Sequence, residues 1–244
     1  MKFQGVTAQN IGQAHALKML TSSKDYAFLT GPAGTGKTLL TGAVGLEQVI
    51  KHPKDGFKSV IYTRLQVQTG ADVGFLPGDL MEGKTEPFLE GFKDNFKEMD
   101  YDLPFDHLIN KKLQFVPIQT MRGRTFPNSF IIVDEAQNLD EDTITTIATR
   151  LGMGSKMVFM GNFSQIDDKK GFLKKPENNG FYQLLSRFYE TTGGHQFFEH
   201  VHLTEIQRSG GAAFVEKMMR NHKLDPRFVD LEECGIVQEE VLSA

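Results

Sequence analysis

The sequence contains no tryptophan and a single cysteine, Cys234, in 244 residues. One thiol excludes an internal disulfide and fits a reducing, cytoplasmic setting. Cys234 lies in an acidic stretch without a basic neighbour or a helix start, so it reads as a plain small side chain. No apolar run approaches the roughly 18 residues that a membrane helix needs, so no membrane partner is expected. The opening "MKFQGVTAQN" lacks the apolar segment of a secretory signal. An excess of positive charge is missing too. Lys and Arg number 27 against 31 Asp and Glu, a net charge of −4. That weighs against coating DNA by charge alone and leaves room for a local basic site. Neither a fixed-period repeat nor a low-complexity tract is visible. His195, His200 and His202 fall close together without cysteines or acids at metal spacing, so they do not read as a zinc site.

What is present has the look of a globular domain. The length suits one domain over residues 1–244, with 39% hydrophobic and 24% charged residues favouring a folded, water-soluble chain over a disordered one. Short apolar runs predict strands at 26–30, 59–63, 113–118, 130–134, 156–160 and 199–204. The runs at 130–134 and 156–160 barely alternate, as expected of strands covered on both faces. Pro117 ends its strand or puts it at an edge. A helix follows the first strand, with Leu39, Ala43, Leu46 and Ile50 on one face and Pro53 closing it. Further helices are expected at 8–20, 86–98, 143–151, 180–190 and 212–221. The alternation predicts an α/β fold, a parallel sheet flanked by helices. Two long connections, 64–112 and 161–198, are candidate working surfaces. "DDKKGFLKK" (167–175) reads as a solvated loop, and the tail from Asp230 is acidic.

"GPAGTGKT", Gly31, Pro32, Ala33, Gly34, Thr35, Gly36, Lys37 and Thr38, fits the phosphate-loop pattern between a strand and a helix. Its glycines let backbone N–H groups curl around a polyphosphate, and the helix adds its positive end. Lys37 is expected on the β- and γ-phosphates and the Thr38 hydroxyl on Mg²⁺. "SFIIVDEAQN" carries Asp134 and Glu135 out at the carboxyl end of an apolar strand. Asp134 can hold Mg²⁺, and Glu135 can orient or deprotonate an attacking water. A glutamate placed for water favours an ATPase over a small-molecule kinase, with ATP and Mg²⁺ as the cofactors.

The blocks "GPAGTGKT", "TRLQVQTGADVGFLPGD", "MRGRTFPNSFIIVDEAQN", "GSKMVFMGNFSQID" and "LTEIQRS" occur in the order seen in the PhoH-like ATPases. The chain resembles that family over roughly residues 5–220. The family in turn is similar to the first motor domain of superfamily 1 helicases, which implies a RecA-like P-loop NTPase fold. It is common in bacteriophages, in which case the setting would be the host cytoplasm. The resemblance implies that Gln13 reads adenine, where an amide can donate and accept at once. It also implies that Gln165 contacts the γ-phosphate or the attacking water, and that Arg208 touches the nucleotide phosphates. Each of these three also has a plainer reading, as a helix-surface, turn or salt-bridged residue. Arg64, Arg122 and Arg124 correspond to segments that touch the nucleic-acid backbone in helicases. Ion pairs with nearby acids, or a neighbouring subunit's nucleotide, are competing partners.

Three departures stand out: Asn162 where the family has an aspartate, Leu65 where a proline is frequent, and a segment 64–73 poor in glutamate. Without a carboxylate at 162, Asp134 is left as the main protein acid for Mg²⁺, which puts rapid turnover in question more than binding. A lone motor domain needs a second surface to complete its site. The expectation is therefore a homo-oligomeric ring, a hexamer, acting on single-stranded nucleic acid, RNA before DNA. The alternative is a nucleotide-gated assembly module with slight turnover.

Overall fold

The computed structural model describes residues 1–52, 56–65, 86–99, 108–109, 111–219 and 224–237. Pro53, the "GFLPGD" block and most of the 64–112 connection therefore lie outside the described residues.

The chain opens with a small antiparallel hairpin, β1 (Lys2–Phe3) and β2 (Val6–Thr7), then α1 (Ile11–Thr21). The central sheet collects β3 (Tyr26–Thr30), β4 (Ser59–Arg64), β5 (Leu113–Phe115), β6 (Ser129–Asp134), β7 (Lys156–Gly161) and β8 (Phe198–His202). Its order is β5-β4-β6-β7-β3-β8, and every pairing is parallel. The helices are α2 (Lys37–Lys51), α3 (Glu86–Lys97), α4 (Glu141–Ala148), α5 (Gly180–Glu190), α6 (Gly210–Met219) and α7 (Pro226–Glu233). The six predicted strands and the predicted helices are found within a few residues of their expected bounds. The strand at 113 stops at Phe115 and lies at the sheet edge, before Pro117 leads into a short 3₁₀ turn.

Strand periodicity divides the core into two layers. Ala27, Leu29, Val60, Tyr62, Phe130, Ile132, Val158 and Met160 face one cluster, shared with α1, α2 and α3. Phe28, Ile61, Ile131, Val133, Met157 and Phe159 face the other, which α4, α5 and α7 cover. Burial on both faces explains why these strands are nearly unbroken in apolar residues. The second layer is rich in rings: Phe163 stacks on Phe181 at 5.1 Å and on Phe228 at 4.9 Å. Phe228 belongs to α7, so the acidic C-terminal stretch packs back on the core as far as residue 237. Its Gly235 carbonyl accepts from the His202 N–H at 2.6 Å, and Ile236 bridges His202 in parallel.

Two elements escaped the sequence reading, the N-terminal hairpin and α7. The hairpin is pinned by a buried carboxylate: Glu47 Oε2 accepts from Gln4 N at 3.0 Å and from Gln4 Nε2 at 2.7 Å. That contact holds Gly5–Thr7 beside the carboxyl edge of the sheet, where the cavity described next opens.

Candidate functional site

Because the sheet is parallel, all its strands deliver their carboxyl ends to one edge. Thr30 aligns with Gly161 on one neighbour and His202 on the other, and Arg64 aligns with Asp134. Ligands bind at such an edge in open α/β sheets. Here it carries a cavity of about 770 Å³.

The floor is the loop 31–36. At Gly31, φ is 139°, and a Cβ would sit 2.2 Å from the Leu203 carbonyl oxygen, so glycine is required. At Gly34, φ is 77°, and a Cβ would meet Arg208 Nε at 2.6 Å. α2 then starts at Lys37 with no side-chain cap, leaving its first N–H groups directed at the cavity. Lys37 Nζ donates to the carbonyls of Gly31 and Pro32, at 2.7 Å each, and closes the loop on itself. Burial lowers its pKa to about 8, against the opposing pull of Asp134 and Glu135.

One wall is the end of β6. Asp134 Oδ2 accepts from Tyr62 Oη at 2.6 Å and lies 3.5 Å from Thr38 Oγ1, while Oδ1 accepts from Glu135 N at 2.9 Å. Burial, then the adjacent Asp134 charge, pushes the Tyr62 hydroxyl well above its ordinary pKa, so it remains a donor. Glu135 sits in the left-handed region at φ 53°, an uncommon backbone state for a glutamate and one concentrated at functional sites. Its carboxylate is hydrogen-bonded on one oxygen and has a cation beside the other. Oε2 accepts from Gln137 Nε2, and Oε1 faces Arg64 Nη2 at 3.8 Å.

The opposite wall comes from β7. Asn162 is buried and caps a 3₁₀ turn, its Oδ1 accepting from Ser164 N at 3.0 Å, and its Nδ2 has no partner among the described residues. Gln137 Oε1 accepts from Asn162 N at 3.0 Å, which ties the ends of β6 and β7 together. Gln165 lines the cavity, and its Nε2 lies 3.4 Å from Glu216 on α6. Arg208 reaches the same cavity from the segment after β8, where Gln207 N donates to the Gly34 carbonyl at 2.8 Å. Arg208 thus lies over the phosphate loop of its own chain. Gln13 is buried between this loop and the N-terminus. Its Nε2 donates to the Thr35 carbonyl at 3.0 Å, and its Oε1 accepts from Gln9 N at 2.8 Å. One amide hydrogen and one lone pair remain for a ligand.

Most of the residues singled out in the sequence therefore gather at one cavity. Arg64 adjoins it through Glu135. Arg122 and Arg124 do not line it, and Arg124 instead lies over the Phe126 ring at 4.8 Å. His200 Nε2 and His202 Nδ1 both meet Thr30 Oγ1 at 2.8 Å, and burial lowers the His200 pKa to about 3. Tyr62, Gln137 and Glu216 were missed. Gln137 could have been noticed as the amide two residues after the acid, whereas Tyr62 reads only as core.

A phosphate loop, an acidic strand end beside it and this sheet define a P-loop NTPase fold with a RecA-like core. The fold is shared by the large terminase of a thermophilic bacteriophage, at a TM-score of 0.51 and 13% identity over 91% of this chain and 50% of that one. The particular family follows from sequence. The model of the PhoH-like protein family matches residues 5–238, and the chain belongs to that family. It is 34% identical to Protein PhoH2 of Bacillus subtilis over 88% of this chain and 48% of that protein. It is 35% identical to Protein PhoH of Escherichia coli K12 over 76% and 50% respectively. The chain thus spans about half the length of the curated relatives it matches.

Proposed function

We propose that this chain binds ATP with Mg²⁺ and hydrolyses it, and that single-stranded nucleic acid, RNA before DNA, sets the rate. The observation that carries this reading is the convergence of Lys37, Thr38, Asp134 and Glu135 on one cavity wide enough for a nucleotide. The donor set fits a magnesium nucleotide: a hydroxyl and a carboxylate 3.5 Å apart, both hard oxygen ligands. When bound, the ion neutralises charge developing on the phosphates. Thr38 and Asp134 would hold it, and Tyr62 would orient Asp134. Lys37 and the loop N–H groups bind the phosphates, Gln13 meets the base, and Glu135 takes a proton from the attacking water. Gln165 and Arg208 face the terminal phosphate.

The ring reading is supported by α6. It adjoins the site through Glu216 and exposes Phe214, Val215 and Met218, 66%, 52% and 54% accessible, as an apolar face that a second copy would cover. A homo-hexamer is proposed. Because Arg208 reaches its own loop, any arginine supplied by a neighbour would be a different one. Sedimentation with and without ATP tests assembly, and a monomer in both conditions would defeat it.

The second reading, a nucleotide-gated assembly module with slight turnover, is favoured by one feature: Asn162 offers an amide cap where a carboxylate would serve the metal. Hydrolysis measured with RNA, with single-stranded DNA and with no polymer separates the two readings, with Glu135→Gln as the background.

A further inference from the structure

We propose that Arg64 is a latch on Glu135, and that a nucleic-acid phosphate opens it by taking the guanidinium. The inference rests on the hydrolytic reading of the site and names how polymer and chemistry are linked within it. Arg64 closes β4 directly opposite Asp134, so it stands one residue across from the base. Its Nη2 lies 3.8 Å from Glu135 Oε1, while Gln137 Nε2 holds Oε2. Gln137 takes one lone pair of Oε2, and the guanidinium beside Oε1 competes with a water for the approach to that oxygen.

The two holders differ in kind. Gln137 is fully buried and also supports Asn162 N, so it is a fixed part of the frame. Arg64 is 39% exposed, and among the described residues its guanidinium makes no hydrogen bond elsewhere. A half-exposed pair of this kind is weak and readily exchanged. A phosphodiester is the natural competitor, because the guanidinium fork matches its oxygens and the cation stays charged. Exchange needs only a side-chain rotation at the strand end, with the sheet left intact.

Once Arg64 has left, Gln137 still orients Glu135 and Oε1 is free. Oε1 then accepts a proton from the attacking water as the water oxygen bonds to the γ-phosphorus. The bridging oxygen leaves with its electron pair on ADP. In this scheme Arg64 is a positioning residue, acting on the reaction through Glu135.

The test measures kcat and KM for ATP in wild type, Arg64→Gln, Arg64→Lys and Glu135→Gln, with and without oligouridylate. The latch predicts that Arg64→Gln raises the polymer-free kcat about fivefold, the factor an exposed ion pair supplies. It also predicts an unchanged KM and no further stimulation by RNA. Arg64→Lys keeps a cation and should return the low polymer-free rate with partial stimulation. A polymer-free kcat for Arg64→Gln that is unchanged or lower overturns the latch. That includes the case in which the variant merely loses RNA affinity. If wild type and Arg64→Gln both turn over no faster than Glu135→Gln, the hydrolytic reading fails and the latch falls with it. A fast, Glu135-dependent wild type with an unresponsive Arg64→Gln sinks the latch alone.

Discussion

Tyr62→Phe removes one oxygen atom and tests whether Asp134 is a metal-holding group oriented from behind. The hydroxyl donates to Asp134 Oδ2 at 2.6 Å, and the ring packs 5.0 Å from Phe92 and 6.1 Å from Phe115. Phenylalanine keeps that packing, so the change is confined to the hydrogen bond. A bond to a charged acceptor contributes about 1.5–3 kcal/mol, or roughly a tenfold to hundredfold effect at the carboxylate it orients. Residues that orient metal ligands show losses of about 10–100-fold when replaced. The assay is a Mg²⁺ titration of nucleotide binding by a fluorescent ATP analogue, with a parallel arm in EDTA and a thermal melt as the folding control. The Mg²⁺ needed for half-saturation should rise at least about tenfold, with affinity in EDTA unchanged. Since the Tyr62 hydroxyl titrates well above its ordinary value, wild type should hold this advantage throughout the neutral range. Equal losses in both arms, or a titration like that of wild type, would refute the reasoning.

The same geometry makes three further predictions. Lys37 has a pKa near 8 in the free site, and a bound polyphosphate must raise it, so binding takes up a proton once the pH exceeds that value. ATP affinity should be flat below about pH 8 and fall above it, with calorimetry in two buffers detecting the proton; a flat profile to pH 9 would count against Lys37 as the phosphate ligand. Phe228→Ala removes a fully buried ring from the Phe163 stack and should cost about 3–5 kcal/mol, lowering Tm by about 10 °C. A shift under about 2 °C would mean that α7 is not integral to the core. Asn162→Asp retains the oxygen that caps Ser164 N but places a buried carboxylate on the cavity that Asp134 and Glu135 already line, so the metal-free melt should fall and Mg²⁺ with nucleotide should restore it. Hydrolysis at saturating Mg²⁺ should rise, and an unchanged rate would clear Asn162 of limiting turnover.

How much was legible in advance depended on the kind of signal. The loop 31–38 and the pair Asp134–Glu135 were readable because their chemistry is local: glycines at a turn, acids at a strand end. The central strands were readable because burial on both faces removes alternation. The hairpin at residues 2–7 was missed because two-residue strands leave no period, and its anchor, Glu47, is distant in sequence. The helix 226–233 was hidden inside an acidic stretch. Its largest buried side chain, Phe228, gains meaning only against Phe163 and Tyr182. Tyr62 carries an ordinary strand residue type, and only the register of β4 against β6 brings it to Asp134, whereas Gln137 sits two residues after Glu135 and reads as an ordinary turn amide. Arg64 was singled out from the sequence with its partner left open, and the structure supplies the partner.

The most direct test of the account is ATP hydrolysis by the wild-type chain and by Glu135→Gln, at stated salt, with single-stranded RNA, with single-stranded DNA and with no polymer. The account predicts Mg²⁺-dependent turnover in wild type that RNA raises more than DNA does, and that Glu135→Gln abolishes in every condition. A wild-type rate equal to that of Glu135→Gln, and indifferent to polymer, would contradict it.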